Sequence, residues 1–214
     1  MRFLKKIILK NKLKTGPLKI ILGAGNTKYP EWVSTNRQLL DITNESDFEY
    51  YFRDNLVENF LLEHVIEHLE YDDFIKFLTL SKKYMKEKGC IRIAVPDANH
   101  PSLYVRELTG VNGTEPGADD HKFFYSITDM ENIAEMTGFK LLKLEYFDNR
   151  GYFNSFHYDD SNGYISRCSK NYHGRFDDNR ELEKMIESTP FELQQQFKDL
   201  QISYTSLLVD FINE

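Results

Sequence analysis

The chain has 214 residues, 41% of them hydrophobic and 14% aromatic, which is enough for one sizeable core and short for two. With 34 acidic against 27 basic residues the net charge is -7, which argues against a protein that coats nucleic acid through a broadly basic surface. The only two cysteines, Cys90 and Cys168, lack metal-site spacing and make no disulfide framework, as expected in a reducing cytoplasm, and no apolar run approaches the length of a membrane span.

Residues 1–14 carry Arg2, Lys5, Lys6, Lys10, Lys12 and Lys14 around Phe3, Leu4, Ile7, Ile8 and Leu9, with no acid among them. Lysines continue past the short apolar patch where a secretory signal would have a cleavage site, so a basic amphipathic helix is expected. It either packs on the domain as a surface helix or meets an anionic membrane surface or an acidic partner. Gly16-Pro17 separates this extension, residues 1–16, from the body of the chain, residues 17–214.

The stretch LKIILGAGN, Leu18 to Asn26, organises that body. Ile20, Ile21 and Leu22 read as a strand buried on both faces, ending in Gly23-Ala24-Gly25. A residue without Cβ lets the chain turn sharply and lets a ligand approach the main chain. Lys28 stands where a dinucleotide fingerprint has its third glycine. Pro30 blocks a helix, and Trp32 to Thr35 reads as a second strand ending at Asn36. Asn36, with Asp41 close by, can serve a ribose or simply a turn. Ser46 and Glu49 form a capping-box pattern ahead of Phe48, Tyr51 and Phe52 at helical spacing.

Asn59 to Glu63 reads as a third buried strand running into His64-Val65-Ile66-Glu67-His68. That pattern matches the H-x-x-E-H of zinc peptidases, in which two histidines one helical turn apart hold the metal. Its position directly after a strand puts His64 at a strand-to-helix junction, where the rings need not share a face. The other reading has Glu67 or His68 buttressing a core helix. A helix then runs from a cap at Asp72 or Asp73, through Phe74, Phe77, Leu78 and Met85, to Gly89. Cys90 to Val95 forms the next strand, closed by Pro96-Asp97. Strands alternating with helices describe an open α/β sheet whose ligand sites lie beyond the carboxyl ends of its strands.

From His100 to Ser126 the chain reads as a long active-site loop with a polar cluster, Asp119-Asp120-His121-Lys122. His121 is a candidate general base with Asp120 to orient its ring, Asp97, Asp119 and Asp120 are a candidate divalent-cation site, and bracing of the loop is the plain alternative. Thr128 and Glu131 suggest another capping box for a helix closed by Gly138, followed by a strand from Phe139 to Phe147. Residues 149–202 read as a lid or insertion in which Tyr152, Phe153, Phe156, Tyr158 and Tyr164 mix with Asp159, Asp160, Arg167, His173 and Arg175, with helix from Arg180 to Leu200. A last strand, Ser203 to Ile212, completes the sheet.

The joint order of these motifs resembles the class I S-adenosylmethionine-dependent methyltransferases, in the compact type associated with surface-glycan biosynthesis. The features that carry it are the GAG-N turn, the P-x-W segment, E-H-V-x-E-H-L after a buried strand, and a glycine, strand, V-P-D segment, over Leu18 to Asp148. The resemblance implies a Rossmann-like sandwich with a mostly parallel seven-stranded sheet and helices on both faces. It implies S-adenosylmethionine as cofactor, with Gly23, Ala24, Gly25 and Asn26 near its methionine moiety, Asn36 and Asp41 near ribose and adenine, and Glu63 and His64 along its border. It further implies a small-molecule or glycan acceptor in place of DNA, O-methylated with His121 as base. A non-catalytic module of the same fold and a zinc hydrolase using HVIEH are the competing expectations.

Overall fold

Strands whose residues alternate between two covered faces set the architecture. The computed structural model describes residues 2–14, 18–171, 176, 178–200, 202 and 205–214, so Gly16-Pro17, His173, Arg175 and Ser203-Tyr204 fall outside the described residues. In chain order the elements are α1 (Arg2–Lys12), β1 (Lys19–Ile21), β2 (Val33–Ser34), α2 (Glu45–Phe52), β3 (Val57–Glu63), α3 (Tyr71–Tyr84) and β4 (Met85–Val95). Then come α4 (Leu103–Thr109), α5 (Ile127–Thr137), β5 (Lys140–Phe147), β6 (Phe153–Ser155), α6 (Asn179–Glu187), α7 (Phe191–Leu200) and β7 (Leu207–Ile212).

The strands form one seven-stranded sheet in the order β2-β1-β3-β4-β7-β5-β6. β1 pairs in parallel with β2 and β3, and β3 with β4, whereas β7 runs antiparallel between β4 and β5, and β6 antiparallel to β5. The sheet is therefore α/β and mixed, with parallel pairing confined to its first four strands.

Period-two alternation gives each face its own core. Ile20, Phe60, Leu62, Ile91, Ile93, Val209 and Phe211 point to the face covered by α2, α3 and α5 through Phe48, Phe52, Phe74, Phe77, Met130 and Ile133. Leu9 and Leu13, from α1 and the turn after it, are buried in the same cluster, and Lys6 pairs with Asp47 at 2.5 Å, so α1 packs on the domain. Ile21, Leu61, Ala94, Leu144 and Leu208 point the other way, where the expected helices are replaced by an irregular segment contributing Tyr158, Ile165 and Cys168. Helices α4, α6 and α7 gather instead around Phe147.

An irregular segment on a sheet face brings backbone groups that need partners, and buried charges supply them. Arg92 on β4, 1% exposed, meets Asp210 opposite it on β7 through two bonds of 2.8 Å. Its Nη1 also donates to the carbonyls of Asp159 and Gly163, each at 2.7 Å. Glu145 accepts from Tyr158 Oη, Ser169 N and Thr205 Oγ1. Gly163 sits at φ +129, and a Cβ there would lie 2.8 Å from Leu61 Cδ1, so the segment approaches the sheet where only glycine fits.

Several boundaries differ from the sequence expectation. The cap of α2 is Asn44, which accepts from Ser46 N, and the box opening α5 is Ser126 with Asp129, two residues before the Thr128 pattern. Asp72 and Asp73 lie in the first turn of α3, where they suit its dipole, after a start at Glu70 with no side-chain cap. That helix ends at Tyr84 because Met85 already pairs with Val57, Lys86 reaches Glu58, and Lys88 N donates to Asn213 O. The long loop contains α4, capped by Ser102, and the single helix expected over 180–200 is two, parted at Pro190.

Removing one partner of the buried Arg92–Asp210 pair should cost about 3–5 kcal/mol because the other charge stays buried and unpaired. Urea unfolding of Asp210→Ala should show that loss, while Arg92→Met with Asp210→Leu recovers only part of it, since the carbonyls of Asp159 and Gly163 then lose their donor. An Asp210→Ala loss below about 1 kcal/mol would remove the pair from this role.

Candidate functional site

The carboxyl ends of β1 and β3 lie side by side because those strands pair in register, Ile21 opposite Leu61. After β1 the chain turns at Gly23 with φ +62, where a Cβ would fall 2.6 Å from Val65 Cγ2, so side chain is excluded and main chain is left bare. Ala24 N donates to Thr35 O, and Gly25 N donates to Asn36 Oδ1 at 2.8 Å while Asn36 Nδ2 donates to Gly25 O. Asn36 is thus spent on bracing the glycine turn, the turn-residue alternative of the two that the sequence left open.

At the end of β3, Glu63 Oε1 accepts from Ser166 N, Ser166 Oγ and Arg167 N at 2.8–2.9 Å. The ladder continues one residue further, His64 N to Ala94 O, and then His64 adopts a left-handed φ of +55 that sends the chain into a 3₁₀ turn over Ile66–His68. A β-carbon residue held in that region is strained and needs surrounding contacts to keep it there. Its ring supplies them, with Nδ1 3.0 Å from Glu67 Oε1 and Nε2 3.2 Å from Ser206 Oγ.

The same turn collects a distant segment. Glu67 O accepts from Lys122 N and Phe123 N, which brings His121 against the turn despite its distance in sequence. His121, 7% exposed, places Nδ1 2.8 Å from Thr109 O, and a carbonyl only accepts, so Nδ1 carries the proton and Nε2 has its lone pair available. His68 Nδ1 lies 2.7 Å from Asp120 Oδ1, which assigns its proton in the same way. The two rings meet edge to face at 4.7 Å. Glu67, 1% exposed, has an Oε2 with no hydrogen-bond partner among the described residues. Glu67, His68 and His121 each offer one ligand atom, all within 4.8 Å of one another.

Two adjoining clefts open here and share Gly23, His64 and His68. One, about 310 Å³, is lined by Ala24, Tyr29, Glu63, His121, Ser166 and Arg167 among others. The other, about 430 Å³, is lined by Leu40, Asp41, Ile42, Leu69 and Asp120 among others. Both fall in the range of small-molecule sites. Burial pushes the Asp41 carboxyl up, but hydrogen bonds from Thr43 N and Oγ1 and the charge of Arg37 outweigh it and hold the group below its ordinary value. Burial, then the charge of Glu63, raises the Tyr29 phenol to about 12, so it stays a neutral donor at the cleft wall.

Of the residues expected at the site, Gly23, Ala24, Asp41, Glu63, His64, Asp120 and His121 line one or both clefts. Gly25, Asn26 and Asn36 do not. Asp120 orients His68 instead of its neighbour His121, whose orienting group is the Thr109 carbonyl. Asp97, Asp119 and Asp120 do not form a ligand group among the described residues. Asp97 is buried with Oδ1 and Oδ2 taken by Asn99 N and Phe147 N, while Asp120 is bound to His68. The zinc-peptidase arrangement also fails, since HVIEH lies on a 3₁₀ turn with His64 directed to Glu67 and Ser206. Ser206 and Thr109 were not anticipated at the site, and no local pattern marks them, while Arg167 comes from the segment expected to be a lid or insertion.

No family model and no curated protein sequence matches the chain. Among solved structures it is similar to a SAM-dependent methyltransferase from Archaeoglobus fulgidus, at 17% identity over 99% of this chain and 93% of that one, with a TM-score of 0.46. An O-methyltransferase family protein from Burkholderia thailandensis is 12% identical over 67% of this chain and 53% of that one, with a TM-score of 0.43. A cyclopropane synthase from Mycobacterium tuberculosis is 12% identical over 98% and 82%, with a TM-score of 0.41.

Two outcomes follow from the strand ends. Gly23→Ala should destabilise the protein through both the Val65 contact and the left-handed φ, whereas Gly25→Ala, whose Cβ meets nothing within 4 Å among the described residues, should lose only about 1 kcal/mol to left-handed strain. Equal losses in thermal melts would contradict the Val65 clash. Burial pushes Asp97 from 3.8 up to about 7 against the two backbone donors. The folded chain then holds a proton that the unfolded chain has released, so stability present near pH 4 is lost as pH rises toward 7, on the order of 1 kcal/mol per pH unit. Urea unfolding across that interval should show a shallower decline in Asp97→Asn, and identical slopes would contradict the shift.

Proposed function

We propose that the chain is a class I S-adenosylmethionine-dependent methyltransferase that O-methylates a hydroxyl, of a sugar in a glycan or a related small molecule. The observation that carries this reading is the convergence of bare main chain at Gly23, the Asp41 carboxylate and the Glu67, His68 and His121 cluster on two clefts that share a wall. The donor set suits the molecule. Asp41 accepts from the ribose diol, Leu40, Ile42 and Leu69 offer apolar surface to the adenine, Gly23 and Ala24 admit the methionine chain to the backbone, and Glu63 lies along the border.

When bound, the cofactor supplies an electrophilic methyl on a sulfonium, and transfer to the acceptor oxygen leaves the thioether S-adenosylhomocysteine. The chain's own work is positioning and proton management. Segment 163–169, fixed by Glu63 and Glu145, walls the first cleft and keeps Arg167 and Ser166 at its edge. The acceptor hydroxyl loses its proton at the Glu67, His68 and His121 cluster, where both rings have Nε2 available. Carboxylates at this border favour a cationic donor over an anionic one. On the surface, α1 leaves Leu4 and Ile8 exposed beside Lys5 and Lys12, which suits contact with an anionic surface. Among the described residues no helix is long and apolar enough to cross a membrane.

Calorimetric titration with S-adenosylhomocysteine tests the reading. One-site binding that weakens at least tenfold in Asp41→Ala is expected, and in His121→Ala binding should persist while methyl transfer to a sugar acceptor falls about 100-fold or more. No binding to the wild-type protein would leave a non-catalytic module of this fold.

A further inference from the structure

We infer that Glu67, His68 and His121 hold one divalent transition-metal ion whose open coordination position faces the clefts. The first observation is convergence: three side chains from two segments bring ligand atoms within 4.8 Å of one another, and Glu67 Oε1 lies 4.0 Å from His121 Nε2. Tetrahedral coordination at about 2.1 Å draws donors to roughly 3.4 Å apart, a small closure for side-chain rotation.

The second observation is that the carboxylate of this trio is buried with one oxygen unspent. Glu67 is 1% exposed and its Oε2 has no hydrogen-bond partner among the described residues, a costly state for a buried carboxylate oxygen. Tyr125 Oη, which is also buried without a partner, does not satisfy it.

The third is the outer layer. A metal-bound histidine characteristically donates its other ring N–H to a carboxylate or a backbone carbonyl, which fixes ring and tautomer. Both histidines do so, His68 Nδ1 to Asp120 Oδ1 and His121 Nδ1 to Thr109 O, and both therefore keep Nε2 for a ligand. The carboxylate is held likewise, since His64 Nδ1 donates to Glu67 Oε1 and His64 is itself fixed by Ser206. Each member of the trio thus has a partner that orients it.

The donor set selects the ion. Two imidazoles with one carboxylate suit zinc, manganese or iron, whereas magnesium and calcium prefer oxygen alone. Three protein ligands leave a position for water or a substrate oxygen. His68, with its side chain 32% exposed, forms the accessible side, and His68 and His121 both line the first cleft. An acceptor hydroxyl bound to the cation would lose its proton to solvent water more readily than a free one, the cation taking over the activation that the two Nε2 lone pairs supply when it is absent, so the acceptor would be one that offers an oxygen ligand, such as a vicinal diol or a hydroxy acid. The cation's binding stands without the methyl-transfer reading, while this role for its open position rests on it.

The test uses the full chain stripped with EDTA and titrated calorimetrically with zinc, manganese and magnesium chlorides, then with S-adenosylhomocysteine. One zinc or manganese ion per chain is expected, bound at least tenfold more tightly than magnesium. His68→Ala, at the accessible edge and so least disruptive to folding, should weaken binding about 100-fold, and Asp120→Asn about 10-fold or more through loss of ring orientation. The exposed His157→Ala should leave binding unchanged. Circular dichroism confirms that each variant is folded. An absence of saturable binding for all three ions, or undiminished binding in folded His68→Ala, overturns the assignment. Metal binding without S-adenosylhomocysteine binding would keep the cation and remove the methyl-transfer role.

Discussion

The left-handed turn at His64 is the constraint on which the site depends. β3 delivers the chain to the carboxyl end of the sheet beside the glycine turn, and the strained residue there redirects it so that Glu63, His64, Glu67 and His68 address different partners within six residues. Val65, at the centre of the same turn, fills the space that a side chain at residue 23 would need. The close packing against the glycine turn and the density of functional groups over β3 therefore have one origin. Backbone strain of this kind persists only where surrounding contacts over-determine it, and the Glu67 and Ser206 bonds to the His64 ring do so.

A second consequence concerns the wall of the site. On one face of the sheet, helices bury their apolar stripes and satisfy their own backbone. On the other, segment 156–171 pairs internally through short turns, Gly163 N to Asp160 O and Asn171 N to Cys168 O, and three acidic side chains with one arginine act as further partners: Asp210 and Arg92 below it, Glu145 at its side, Glu63 at its cleft end. Buried charges of this sort add little net stability, but they specify one position for the segment, because any shift leaves a charge without its partners. The cleft surface formed by Ser166 and Arg167 is thus fixed by Glu63 at the end of β3.

The sequence made part of this legible. The glycine turn was readable because an apolar β-branched run ends abruptly in residues without side chains, and the order of strands and helices was readable from periodicity. Caps slipped by two residues at both Ser46 and Thr128 because each neighbourhood holds more than one capping residue, and tertiary contacts choose among them. Lys-rich residues 85–88 look helical in isolation, yet pairing of Met85 with Val57 extends them. Asp97, Asp119 and Asp120 illustrate the limit most clearly: proximity in the chain suggested a shared site, while backbone donors had claimed Asp97 and a histidine had claimed Asp120. The pairing of His121 with Glu67 depends on two backbone hydrogen bonds between distant segments, for which no local pattern exists.

The central claim is that a small ligand with a nucleoside and an amino-acid end occupies the two clefts that share Gly23. Nuclear magnetic resonance of the protein labelled with ¹⁵N-glycine measures this directly, since the amide of Gly23 reports on the shared wall and that of Gly138, which closes α5, reports on a helix end outside both clefts. On adding S-adenosylhomocysteine the Gly23 resonance should move in a saturable way while Gly138 stays in place. A saturable response at Gly138 with Gly23 unmoved, or no response at any glycine, would contradict the account.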